Sequence, residues 1–266
     1  MHSLLLYYKS MIMQVKTSHS YRFNYFLTIF TVIFHYMVQL LALWITLNYF
    51  DSIGGWSIYE VSFMYGLFTL SYGIMIFFFA GFRDFSSLIH HGSFDILLIR
   101  PHNLLLQVIC GKLELTSIAH FGVASLLFWW CFEHIELTWS LFKVLQFIEI
   151  LVAGALIQGG LLLLWAALSF WLVNTSALVR FGWVINANFL SYPLSLYNKP
   201  VQWAFTAFPL SFITYYPAKW FLDKSDTMAP WTASIGSMSL IIGILFFIVV
   251  YILWLLGIRS YKSTGN

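Results

Sequence analysis

Long apolar runs, each close to the length of a membrane-crossing helix, alternate along this chain with short polar breaks. A span needs about 20 apolar residues, and runs of that order lie at roughly 23 to 50, 59 to 82, 113 to 132, 144 to 173 and 235 to 258. The stretch from 178 to 222 is too long for one span and contains Pro193, Pro200, Pro209 and Pro217 together with Asn186, Asn188, Asn198 and Lys199. One span over about 178 to 196, then a re-entrant hairpin over 197–222, fits it better. Broken backbone at membrane depth is tolerated where protein or a water-filled cavity covers it. Residues 1–22 set Leu4, Leu5, Tyr8, Met11, Ile12 and Val15 against Lys9, Ser10, Gln14, Lys16 and Thr17. That pattern predicts a helix lying flat in the membrane interface. No compact apolar core with a small-residue cleavage site follows the N-terminus, so the first span is expected to serve as its own signal anchor.

One segment between the second and third runs is conspicuously polar, from Arg83 and Asp84 through His90, His91, Gly92 and Asp95 to Arg100 and Pro101. Phe85, Leu88, Ile89, Gly92 and Ile96 recur at helical spacing, which predicts one amphipathic helix over about 83 to 97 with its polar side turned outward. Such a helix at a membrane surface can receive force from a soluble partner. Arg83 and Asp84 are the candidates for charged contact, and Gly92 and Pro101 shape the backbone. Asp95 and Arg100 can pair with each other or with headgroups.

Composition supports the membrane assignment. The 266 residues are 61% hydrophobic and 9% charged, with a mean hydropathy of +0.83, against about 25% charged in an ordinary soluble domain. No polar stretch approaches the roughly 50 residues of a separate folded domain, so 1–266 is expected to form one membrane domain. Basic residues are scattered and the net charge is +3, which argues against a nucleic-acid partner. With six spans and both termini in the cytoplasm, nine basic residues lie inside and four, Lys143, Lys199, Lys219 and Lys224, lie outside, in keeping with the positive-inside rule. A seventh span at 201–222 would make the division seven to six.

Candidate chemistry is sparse. Cys110 and Cys131 suggest neither a disulfide framework nor a metal site. His90, His91 and His102 read as solvated interface histidines, because neighbouring helical side chains point about 100° apart and no acid or Cys completes a ligand set. His35 and His120 fall deep in apolar runs and are candidates for a transport pathway, whereas Glu114 and Glu149 sit near span ends. Gly154, Gly159, Gly160, Gly236 and Gly243 permit close helix approach within the subunit. The clusters Phe77-Phe78-Phe79, Trp129-Trp130 and Phe246-Phe247 are expected to face lipid or form interfacial belts. No Gly-x-x-x-x-Gly-Lys-[Ser/Thr] phosphate loop occurs, so the chain cannot bind ATP in that fashion.

Three motifs together carry a resemblance: Gly92-x-x-Asp95-x-x-Leu98-x-Arg100-Pro101; Tyr192-Pro193-Leu194-Ser195 followed by Phe208-Pro209-Leu210-Ser211-Phe212 and Tyr215-Tyr216-Pro217-Ala218; and Arg259-Ser260-Tyr261-Lys262-Ser263-Thr264-Gly265. In order and position they resemble the permease subunit of ABC-2-type ABC exporters, the compact single-domain kind that works with a separate ATPase chain. The resemblance implies an all-α polytopic fold with six transmembrane helices, an interfacial N-terminal helix, a coupling helix and an external re-entrant hairpin. It implies that Arg83, Asp84, His90, Gly92, Asp95, Arg100 and Pro101 couple to the ATPase, and that Pro200, Pro209, Tyr215, Tyr216 and Pro217 build the hairpin. It further implies two ATPase copies carrying ATP and Mg, no cofactor on this chain, a second permease, identical or sister, and the plasma membrane of the bacterial inner-membrane kind. The substrate stays open among drugs, peptides, lipids and other amphiphiles. An ion-coupled secondary transporter and an intramembrane lipid-modifying enzyme are the alternatives, although the carboxylates are dispersed and only one region is broken.

Overall fold

The computed structural model describes residues 12, 13, 16, 22–49, 52–172, 174–190, 192–224 and 235–262. The interfacial helix expected over 1–22 falls almost wholly outside these. In chain order the helices are α1 (Arg22–Tyr49), α2 (Ile58–Phe79), α3 (Phe85–His90), α4 (Ser93–Leu98), α5 (Leu104–Gly111), α6 (Ser117–His134), α7 (Leu141–Leu168), α8 (Ser176–Phe189), α9 (Lys199–Ala207), α10 (Tyr215–Phe221) and α11 (Ser239–Ser260). The protein is an all-α polytopic membrane protein. Among the described residues, four stretches are long and apolar enough to cross a bilayer: Arg22–Thr46, Ile58–His90, Leu141–Leu168 and Gly236–Ser260. The other two expected spans fall on α6, of 18 residues, and α8, of 14. At 1.5 Å per residue α8 reaches about 21 Å.

The core is α7 packed between α2 and α11. Close approach comes from glycine: a side chain at Gly154 would meet Ser71 of α2, one at Gly159 would meet the Phe79 ring of α2, and one at Gly160 would meet the Phe246 ring of α11. Gly243 of α11 in turn lies over Ala153. The glycines therefore pack helices within the subunit, as their spacing suggested. Phe79 and Phe246 depart from the lipid-facing role expected of their clusters, because those sockets hold them, whereas Phe78 and Trp129 are exposed.

α2 opens with reciprocal capping, the Ser57 N–H donating to the Glu60 carboxylate at 2.7 Å and the Glu60 N–H to the Ser57 hydroxyl at 3.4 Å. Two such bonds satisfy orphan donors of the first turn. Glu60 also pairs with Lys224, and Lys143 at the start of α7 donates to the Phe221 carbonyl at 2.6 Å and to Asp223 at 2.9 Å. These contacts fix the end of α10 beside the starts of α2 and α7. Leu196, just before α9, lies against Gly54 at that same end of the bundle. Between them the chain turns at Phe208 and Pro209. Phe208 stacks edge-on with Phe246 at 5.8 Å, and the Ile213 carbonyl lies beside Gly154, so the turn sits about half-way along α7 and α11. α10 is almost wholly buried, whereas α9 buries none of its side chains.

At the opposite end, Gly81 follows α2 in a single 3-10 turn, and an added Cβ there would stand 2.1 Å from the Val108 carbonyl of α5. Backbone pressed on backbone cannot relax by rotating a side chain. Gly81→Ala is therefore expected to destabilise the detergent-solubilised protein by about 1–3 kcal/mol. Gly111→Ala, at the end of the same α5 and with nothing within 4 Å of the new methyl, should stay within about 0.5 kcal/mol of the parent. Equal melting temperatures for the two variants would show that α5 is not seated on this turn.

Candidate functional site

The segment from 83 to 101 is not one helix. Gly92 adopts φ +67°, a left-handed conformation that glycine takes without steric cost, and it divides the segment into α3 and α4. The break rotates the second turn, so Phe94 turns inward and is fully buried while Ile96 is 53% exposed. Ser86, although polar, is buried as well. The periodic stripe therefore holds for Phe85 and Ile89 and fails beyond Gly92. His90, His91, Arg100, Pro101 and His102 all face outward. Ile99 stands 82% exposed beside Arg100 and Pro101.

Arg83 and Asp84 each have a partner within the chain. Arg83 pairs with Glu114 at 2.8 Å and Asp84 with Lys112 at 2.6 Å, so the two neighbours staple the end of α2 to the linker before α6. Each pair is partly exposed and contributes about 0–1 kcal/mol. Gln107 of α5 adds hydrogen bonds to the carbonyls of Leu97 and His102.

The stronger attachment is aromatic. Phe85 and Phe94 pack around Phe170, which follows α7, and Phe85 lies 4.7 Å from Trp254 of α11. Phe82 meets the same Trp254 edge-on at 5.5 Å. Ring pairs of this kind add about 0.5–1.5 kcal/mol each beyond burial, so the cluster outweighs the ion pairs. Tyr261, one residue past α11, completes it: its ring lies 4.9 Å from Phe94 and its hydroxyl donates to the Asp95 carboxylate at 2.9 Å. Two of the three sequence motifs thus meet in one hydrogen bond.

His35 and His120 come together although no spacing links them. Both line a cavity of about 460 Å³ between α1, α2 and α6, with Trp183 of α8 beside them. The Tyr36 hydroxyl and His120 Nδ1 share a hydrogen bond of 2.6 Å, and the His35 ring lies 5.5 Å from Trp183. Tyr65, Phe68 and Tyr72 supply further aromatic wall, and Arg83 and Glu114 reach its edge. Of the hairpin residues, Pro200 is exposed in the first turn of α9, Pro209 forms the turn, and Tyr215, Tyr216 and Pro217 are buried in α10. No group of three or more His, Cys, Asp or Glu is placed to hold a metal among the described residues.

A family described as ABC-2 family transporter protein matches residues 33–265. The chain belongs to the ABC-2 transporter family. No curated protein and no solved structure matches it. As an ABC-2 protein it is a membrane permease of an ABC-type transporter, a transport subunit and not itself catalytic, and membership implies association with an ABC ATPase.

Sequence reasoning missed α5, although Asn103 offered a cap and its side chain does accept from the Leu106 N–H. It also missed the Asp95–Tyr261 bond, whose partners lie 166 residues apart. That bond has a pH signature. Removal from water first, then the bond to Asp95 and its charge, push the Tyr261 hydroxyl up to about 12 from its ordinary 10.0. The folded protein therefore holds this proton more tightly than the unfolded chain. The stabilisation is complete below pH 10 and is lost as pH rises toward 12. Tyr261→Phe should melt lower at pH 8, by about 1 kcal/mol, and should lack the parent's additional decline between pH 10 and 12. Parallel melting curves across that range would remove the bond from the stability of the protein.

Proposed function

We propose that this chain is the transmembrane subunit of an ATP-driven exporter, and that residues 83–101 take up the movement of a separate ATPase. The observation that carries the proposal is the pairing of an exposed apolar edge, Ile96 and Ile99, with an inner face fixed to α11 through Trp254 and Tyr261 and to the linker before α6 through the two ion pairs. Force applied at the edge passes to α11 through packed rings and to the linker before α6 through the two ion pairs. Two ATPases closing on ATP and Mg would move two such segments together, shifting the spans between inward- and outward-open states; nucleotide must then stabilise the two states differently. α9 and α10 form an external re-entrant hairpin at the exit, and the termini face the cytoplasm of a bacterial inner membrane. A second permease, identical or sister, packs on α1, the least buried of the four long stretches at 11%. The cargo is an amphiphile.

Affinity purification in mild detergent from the native host tests this. The parent chain is expected to bring down an ATPase, and Ile96→Asp with Ile99→Asp is expected to lose it while melting as the parent does. Arg83→Glu is expected to uncouple ATP hydrolysis from transport, and adding Glu114→Arg is expected to restore coupling, because Arg83 acts through its internal partner. A folded parent chain that comes alone would remove the ATP-driven reading. Failure of the exchanged pair to restore coupling would place Arg83 in the ATPase contact instead.

A further inference from the structure

A second cavity, of about 350 Å³, opens between α2, α7 and α8. It shares Tyr72, Ile76, Arg83 and Trp183 with the cavity that holds His35 and His120, so the two are lobes of one cleft with an aromatic partition. Gln158 lines the second lobe and is almost fully buried. Its amide N–H donates to the Ser71 hydroxyl at 2.7 Å. Ser71 commits its own hydrogen to the carbonyls of Leu67 and Phe68, so it can only accept from Gln158, and the amide orientation is fixed. The Gln158 carbonyl oxygen is thereby left buried with no partner among the described residues. Native proteins leave few such acceptors unsatisfied, and one beside a cavity is a place for a ligand donor.

Charge sets the other end. Four charged side chains reach the cleft: Arg83, Asp84, Glu114 and Arg180. Arg83 is neutralised by Glu114, and Asp84 by Lys112 outside the cleft. Arg180 is exposed and makes no ion pair among the described residues, which leaves one positive charge at the rim. Gln158 lies ten residues from the end of α7, and Arg180 four residues into α8 from the same end of the bundle.

We propose that this cleft binds an amphiphile with one anionic group at the exposed Arg180, a hydrogen-bond donor directed at the buried Gln158, and a flat apolar body against Tyr72, Trp165 and Trp183. The proposal rests on the transport reading only in making this ligand the cargo. A cation meets the uncompensated Arg180, and a neutral body forgoes it. An anionic lipid headgroup and a small aromatic acid share the required chemistry.

Equilibrium dialysis against the permease in phosphatidylcholine nanodiscs, with empty discs subtracted, tests the site using anilinonaphthalene sulfonate as probe. That molecule carries an aromatic body, one N–H and one anion, and N-phenylnaphthylamine is the same body without the anion. Saturable binding of the sulfonate is expected, weakened about tenfold or more by Arg180→Gln, the loss of one charge-assisted contact. The uncharged analogue should bind more weakly and equally to both proteins. Gln158→Leu should weaken both probes, and the exposed Arg180→Gln keeps the test valid if the buried variant does not fold. Unchanged sulfonate affinity in Arg180→Gln, or equal affinity for the two probes in the parent, would overturn the proposal. Adding phosphatidylglycerol to the discs separates the sources: displacement of the probe assigns a lipid headgroup, undiminished binding a small amphiphile, and the anion site stands in both. Because no ATPase enters the assay, an Arg180-dependent site in a chain that purifies alone leaves the site and removes the exporter. ATPase capture without Arg180 dependence does the reverse.

Discussion

In a bilayer no hydrophobic force draws one apolar helix toward another, so α7 is held between α2 and α11 by close packing, with the buried Gln158–Ser71 hydrogen bond added on the α2 side. Phe79 on Gly159 and Phe246 on Gly160 are the contacts that bring the three axes close. Dispersion is short-ranged, and a gap of even 1 Å forfeits much of it. The cleft, the broken segment around Pro209 and the segment at 83–101 are each built against this core. A change that parts the three helices therefore disturbs all of them together, although the affected residues lie far apart.

The two attachments of the 83–101 segment differ in kind. Ion pairs at Arg83 and Asp84 are exposed enough to be weakened by salt, whereas the rings around Trp254 are buried and insensitive to it. α11 therefore stays fixed to the segment under conditions that loosen α6. Since α6 carries His120 and closes one wall of the cleft, the softer attachment is the one that borders the cavity.

The long spans were legible because hydropathy alone marks a 20-residue run, and the family motifs because they occupy set positions between such runs. Gly92 was read as part of a helical stripe because spacing counts residues and is blind to a left-handed φ. Only the structure shows that the turn after it brings Phe94 inward in place of Ile96. The pairings of Arg83 with Glu114 and of Tyr261 with Asp95 join distant parts of the chain, and a single sequence carries no signal for them. His35 and His120 were singled out for the cost of a polar group at depth, which is physical and local. Their sharing of one cavity depends on how α1 and α6 pack, which is not local.

The broken segment near Pro209 is held unevenly. Lys143 and Lys224 secure only the end of α10, and α10 itself is buried, while α9 lies on the surface with no buried side chain. α9 is therefore the member of the pair with the least to lose on parting from the bundle: its ties are the Phe205 ring against Phe189 and the Thr206 hydroxyl at 2.9 Å from that of Tyr216.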